Sequence, residues 1–197
     1  MPGATSAKPI LVLTYSDSAV ADLTLRNVAM HQVAAGWRLA GLVQHNEPRP
    51  GRSRCDMTLE ELASGHLIPI SEDRGPHARG CRLAVDQLLA AISLVESALE
   101  KRPDLVILNR FGKTEAEGGG FRGLIVDALE AGIPILIAVP YRNLDNWHAF
   151  AGELSSQIDL QSGEDSFAEI SAELNRMCPS RPTATCDEQA CSAYREA

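Results

Sequence analysis

The stretch DLVILNRFGKTEAEGGGFRGLIVDALEAGIPILIAV, Asp104 to Val139, decides the fold. Asp104 to Leu108 is a continuous apolar run of the kind found in strands buried on both faces of a parallel sheet. Phe121, Leu124, Ile125, Ala128 and Leu129 then recur on one face of a helix, and Gly132 supplies its stop. Pro134 to Val139 is a second continuous apolar run. Strand, polar loop, helix and strand make a βαβ unit, whose crossover sets the two strands parallel.

The same alternation extends outward in both directions. Toward the N-terminus, Pro9 to Leu13 predicts a buried first strand, and Tyr15-Ser-Asp-Ser18 supplies turn and N-cap chemistry. A helix is expected from Ala19 to Ala35, stopped by Gly36, and a strand from Trp37 to Gln44. His45 to Arg54 carries Pro48, Pro50 and Gly51 and predicts a loop. A short helix around Thr58 to Ala63 and a strand from Leu67 to Ile70 follow. Ser71 to Cys81 is a second loop, rich in glycine and arginine. Val85, Leu88, Leu89, Ile92, Val95 and Leu99 mark an amphipathic helix over residues 83–100. Beyond Val139 a helix from Leu144 to Leu154, a strand near Gln157 to Leu160 and a helix from Asp165 to Met177 are expected. The prediction is one α/β domain over residues 1–177, a doubly wound, mostly parallel sheet with helices on both faces. Residues 178–197 have two prolines and no apolar period, which predicts a disordered tail.

Composition narrows the function classes. The chain has 197 residues, 45% hydrophobic and 22% charged, and a formal net charge of −8. That acidic balance argues against nucleic acid as a partner. No apolar run reaches the roughly 18 residues of a membrane span, and Met1 to Lys8 lacks the features of a signal peptide, so no membrane partner and a cytoplasmic location are expected. The five cysteines, Cys55, Cys81, Cys178, Cys186 and Cys191, form no CxxC pair and match no disulfide framework or strong metal template, so no metal site is predicted. Lys8, Lys101 and Lys113 are the only lysines among 18 basic residues. That bias fits either a GC-rich genome or a use of guanidinium forks on oxyanions.

Ligands of doubly wound sheets collect outside the carboxyl ends of the strands. This selects Thr14 to Ser18, Gln44 to Arg54, Asn109 to Gly120 and Pro140 to Asn143. Within the third, Gly118, Gly119 and Gly120 would let backbone N–H groups approach an anion, and the following helix start favours negative charge. Asn109, Arg110, Lys113 and Arg122 add donors there, Arg142 and Asn143 join them if the next strand is adjacent, and Tyr15 and Ser16 stand opposite. Arg74 and Arg82 bound an arginine-rich turn that reads either as a lid over an oxyanion or as a solvated loop. Glu115 and Glu117 are candidate carboxylates for positioning water. There is no GxxxxGK[ST] after the first strand, and no GxGxxG, GxSxG or HExxH.

Five blocks carry a resemblance: GWRLAGLVQ (36–44), RCDMTLEELASG (54–65), EDRGPHARGCRL (72–83), LVILNRFGKTEAEGGGFR (105–122) and IPILIAVPYRNLDNWHAFAG (133–152). In this order they resemble a bacterial family of unknown function that is often encoded near molybdate-transport genes. The third and fourth blocks are also similar to the small nucleoside triphosphatases of the thermophile type, through Phe111-Gly-Lys-Thr-Glu115. That likeness implies a P-loop-NTPase-like three-layer sandwich, with Lys113 and Glu115 as carried-over positions. Asn109 stands where a magnesium-binding Asp is expected, and the phosphate loop is missing. The resemblance therefore implies a protein that binds an oxyanion or nucleotide phosphate in molybdenum metabolism, with molybdate or a nucleotide as its small anionic ligand. A divergent nucleoside triphosphatase and a partner-binding accessory or regulatory protein are the alternatives. A second copy of the chain or a molybdenum-pathway protein is the expected macromolecular partner.

Overall fold

The computed structural model describes residues 7–47, 56–71, 84–161 and 166–179. Its centre is a seven-stranded sheet in the order β4-β3-β2-β5-β6-β1-β7. The strands are β1 (Ile10–Tyr15), β2 (Leu39–Glu47), β3 (Asp56–Glu61), β4 (His66–Pro69), β5 (Leu105–Leu108), β6 (Ile135–Pro140) and β7 (Ser155–Asp159). The pairs β2–β5, β5–β6, β6–β1 and β1–β7 are parallel, whereas β2–β3 and β3–β4 are antiparallel. The molecule is thus the expected mostly parallel α/β sheet, with an antiparallel hairpin on one edge.

Helices cover both faces. Helices α2 (Val85–Leu99), α4 (Arg122–Glu130) and α5 (Leu144–Ala151) pack on one side, around Val95, Leu124, Ile125 and Trp147 with Ile10, Val12, Val106 and Ile137 of the strands. Helices α1 (Ser18–Ala34) and α6 (Ser166–Met177) pack on the other, around Leu25, Val28, Ile170 and Leu174 with Leu11, Leu13, Ile107 and Leu136. Successive residues of each central strand serve opposite faces, so both must be apolar. This is why DLVIL and PILIAV read as unbroken runs. Among the described residues, no helix is long and apolar enough to cross a membrane.

Gly41, inside β2, has φ +115°, and a Cβ there would lie 1.9 Å from the Ile107 carbonyl oxygen. Only glycine permits that approach of β2 to β5.

Two local expectations are corrected. The helix expected around Thr58 to Ala63 is strand β3, which pairs with β2 from Glu47↔Asp56 to Leu42↔Glu61. Leu59 and Leu62 stand three apart and imitate helical spacing, yet so short a segment gains more from the open edge of β2 than from an isolated turn. The hairpin turn is held by Glu61, buried, whose carboxylate accepts from the Ala63 and Ser64 N–H groups at 3.0 and 2.9 Å and from the Ser64 hydroxyl at 2.7 Å. The segment read as one polar loop from Asn109 to Gly120 also contains a short helix, α3 (Lys113–Ala116). The turn carrying Arg74 and Arg82, together with Cys55, Cys81, Cys186 and Cys191, lies outside the described residues. Cys178 is buried at the end of α6, with its thiol 3.7 Å from the Asp104 carbonyl.

Candidate functional site at the carboxyl edge of the sheet

Strands β1, β5 and β6 end side by side, and β2 runs past the end of β5, so Tyr15, Gln44, Asn109 and Tyr141 come to one edge. Helix α1 starts at the same edge, with Asp17 as its N-cap accepting from Ala19 N–H at 2.8 Å.

A connected set of polar side chains occupies this edge. Asp22, in the first turns of α1, is buried, and its Oδ1 accepts from Arg110 Nη2 at 2.8 Å. Its Oδ2 accepts from Asn46 Nδ2 at 2.7 Å, and Asn46 Oδ1 accepts from Gln44 Nε2, also at 2.7 Å. The Asn109 amide fits in two orientations. In one it donates to Gln44 Oε1 at 2.9 Å; in the other it donates to Asp22 Oδ1 at 3.1 Å and accepts from Arg110 Nε at 3.0 Å. Gln44 and Asn109 are both buried. A buried carboxylate needs such partners, because its charge has lost water.

Burial raises the Asp22 carboxyl above its ordinary value, opposed by Arg110, the Asn46 hydrogen bond and Arg26. Burial likewise raises the Tyr15 phenol, which lies in the field of Arg110, Asp22 and Arg142. Two guanidiniums, those of Arg110 and Arg26, therefore act on the buried carboxylate, Arg110 in direct contact, while Arg142 acts on Tyr15 beside them. Arg26 turns outward, where its Nη1 meets His45 Nδ1 at 3.2 Å, and His45 Nε2 lies 2.7 Å from Glu60. On the far side, Tyr141 hydrogen-bonds Asp159, which raises the phenol and lowers the carboxyl, and Gln161 hydrogen-bonds Ser16.

The remaining loop residues divide between the two faces of the sheet. Arg110 turns toward α1, while Phe111 is fully buried on the opposite face, edge-on to Trp147 and stacked on Phe150. Arg122 follows Phe111 and lies 4.0 Å above the Phe150 ring. Asn143 is buried and donates to the Phe111 carbonyl at 3.0 Å, tying the loop after β6 to the loop after β5. Lys113 and Glu117 pair with each other at 3.6 Å on the outer surface of α3, 86 and 66% exposed.

Glu115 is buried, and its carboxylate accepts from the Gly112 N–H at 2.8 Å and the Phe121 N–H at 3.0 Å. The three glycines wrap around it. Gly118 N–H and Gly119 N–H bond the Glu115 and Thr114 carbonyls, at 3.1 and 2.9 Å. Gly120 has φ +59°, and a Cβ on it would lie 1.8 Å from Glu115 Oε1. Tyr15, Asn109, Arg110 and Arg142 are thus brought into one neighbourhood, whereas Lys113, Glu117 and Arg122 are directed elsewhere.

Sequence reading passed over Asp22 and, although it selected the stretch Gln44 to Arg54, singled out neither Gln44 nor Asn46 within it. Asp22 had a visible signal, since it shares the sheet-facing stripe of α1 with Ala21, Leu25, Val28 and Ala29, where an unpaired carboxylate is costly. Gln44 and Asn46 alternate with His45 on β2, so they share one face and His45 the other. That signal needed β2 to extend to Glu47 rather than stop at Gln44.

Residues 10–164 match the family described as "Protein of unknown function (DUF2478)", and the chain belongs to that family. The chain is also 33% identical over 158 residues to the "Molybdenum import ATP-binding protein ModC 2" of Bradyrhizobium diazoefficiens. The matched stretch is 79% of this chain but 18% of that relative, so the chain spans less than a fifth of the relative's length. No solved structure matches the chain.

Proposed function

We propose that this member of the family binds a small oxyanion at the carboxyl edge of β1, β5 and β6, with molybdate the first candidate and a nucleotide phosphate the second. The observation that carries this reading is the contact of Arg110 with the buried Asp22 carboxylate beside Tyr15, whose phenol also lies in the field of Arg142. A tetrahedral dianion asks for directed donors and a positive field, and it needs no catalytic base. Asn109 adds an amide, and the start of α1 contributes the positive end of its dipole. Asp22 holds the Arg110 guanidinium in place while cancelling only part of the surrounding positive charge. Molybdate ranks first because the similar stretch of the relative belongs to a protein named for molybdenum import.

Binding is favoured over turnover by the state of the two candidate carboxylates. Glu115 is engaged by backbone N–H groups and Glu117 by Lys113, which leaves neither aimed at the Asp22–Arg110 cluster. Hydrolysis would require Glu115 to leave its loop.

Isothermal titration with molybdate, tungstate, sulfate and ATP tests the reading. The expected result is saturable heat with at least one of them, weakened about tenfold or more, equivalent to about 1.4 kcal/mol, in Arg142→Gln. Absence of both heat and thermal shift for all four removes the proposal. Phosphate release from ATP that disappears in Glu115→Gln, with that variant still folded, would favour the hydrolase instead.

A further inference from the structure

Helix α1 has two apolar faces where a surface helix ordinarily has one. Ala21, Leu25, Val28 and Ala29 face the sheet and are buried. On the opposite side Val20, Leu23, Met30 and Val33 are 45, 51, 56 and 54% exposed. Val20, Leu23, Asn27, Met30 and Ala34 succeed one another at spacings of three, four, three and four residues, the seam along which two helices pair. That seam is about 20 Å long at the rise of an α-helix. It continues into a groove of about 410 Å³ whose other wall is the β2–β3 ribbon, with Val43, Glu60 and Leu62. An apolar patch of this length on a water-facing helix marks an interaction surface.

Three observations select the occupant. The stripe is close to symmetric about Asn27. An antiparallel copy related by a two-fold axis through Asn27 sets Val20 near the second copy's Ala34 and Leu23 near its Met30, so the surface is complementary to itself. The charges agree. A chain of net charge −8 repels its own copy, yet the only carboxylate in α1 is Asp22, which is buried and paired with Arg110. The groove holds both signs, Arg26 and Glu60, joined through His45 within one copy, so the rim of the seam sets no unbalanced like charges of two copies against each other. The chain's own terminal stretch, residues 180–197, has Tyr194 as its single large apolar side chain and does not suit the seam.

We propose that the protein forms an isologous dimer in which α1 packs antiparallel against α1 of a second copy, with Asn27 on the two-fold axis. The paired asparagine amides hydrogen-bond each other and fix the register, as a polar residue in an apolar seam does. The first turns of α1 hold Asp22, so the dimer seam and the Arg110 cluster share one rigid helix.

Sedimentation of the full chain from about 1 to about 100 μM, the range of ordinary homodimer affinities, tests the proposal. The expected result is a species of twice the chain mass at the upper concentrations. Leu23→Asp/Met30→Asp should remain at the single-chain mass throughout, with an unchanged helical circular dichroism spectrum. Should that variant fail to fold, Asn27→Cys replaces it. Under mild oxidation it should give a covalent dimer that Glu100→Cys, at the exposed position just past the end of α2, does not. A wild-type chain that stays monomeric overturns the proposal, including the case in which a different protein covers α1. So does a dimer that persists in the folded double variant, or that fails to cross-link through Asn27→Cys.

Discussion

Replacing Arg110 by Met keeps most of the side-chain volume and removes the charge, so it isolates what the guanidinium does for Asp22. In the native protein Asp22 is 3% exposed and is contacted by Arg110 at 2.8 Å and Asn46 at 2.7 Å. Breaking a fully buried pair by removing one partner costs about 3–5 kcal/mol. The Arg110 side chain is 26% exposed, so water screens part of the pair, and we expect a loss of about 2 kcal/mol at neutral pH. For a chain of this size that is a fall of about 4–8 °C in Tm. The pH dependence is the sharper signature. Burial already raises the folded-state Asp22 carboxyl above its unfolded value, and Arg110 is the largest influence holding it down. Removing Arg110 raises it further. A carboxyl raised on folding contributes stability that is present below the unfolded value and is lost as pH rises through the folded value. The variant should therefore lie furthest below wild type at neutral pH and approach it as the pH falls and Asp22 takes up its proton. Urea denaturation across this range measures the gap, and adding Asp22→Asn to Arg110→Met should recover most of it. A gap that does not change with pH, or a double variant no more stable than Arg110→Met, would refute the assignment of Asp22 as a buried charge dependent on Arg110.

Three further outcomes are expected. Gly120→Ala should cost about 2 kcal/mol or more in urea denaturation, because φ +59° disfavours a side chain and the new Cβ would displace Glu115 from the Phe121 N–H; a change below about 0.5 kcal/mol would count against that arrangement. Trp147→Ala removes a fully buried ring packed edge-on to Phe111 and Phe150 and should cost about 3–5 kcal/mol, read as a shift of the denaturation midpoint with unchanged slope. Lys113→Ala should alter stability by less than about 0.5 kcal/mol, since its ion pair with Glu117 is solvated, and thermal melts in low and high salt check this directly.

The apolar runs Asp104 to Leu108 and Pro134 to Val139 made the parallel core legible in the sequence. A strand buried on both faces has to be apolar at every position, and its composition alone announces it. Helix α1 and its glycine stop were legible for a similarly local reason: Gly36 adopts φ +82° just past the last turn. The rule that ligands gather at the carboxyl ends of strands needed only those assignments; of the residues it named, Tyr15, Asn109 and Arg110 lie around Asp22, whereas Lys113, Glu117 and Arg122 are directed elsewhere. Strand β3 was not legible. Its Leu59 and the Leu62 just beyond it stand at helical spacing, and only the open edge of β2, brought there by the rest of the fold, makes a strand of the segment. The Asn109–Arg122 segment was visible as a polar, glycine-rich loop, but its internal division was not. Tertiary structure alone decides that Arg110 turns to α1 and Asp22 while Phe111 and Arg122 go to the opposite face, and that the glycines close around Glu115. Local chemistry is written residue by residue, whereas a charge that must be paired finds its partner 88 positions away, where the sheet order brings two loops together.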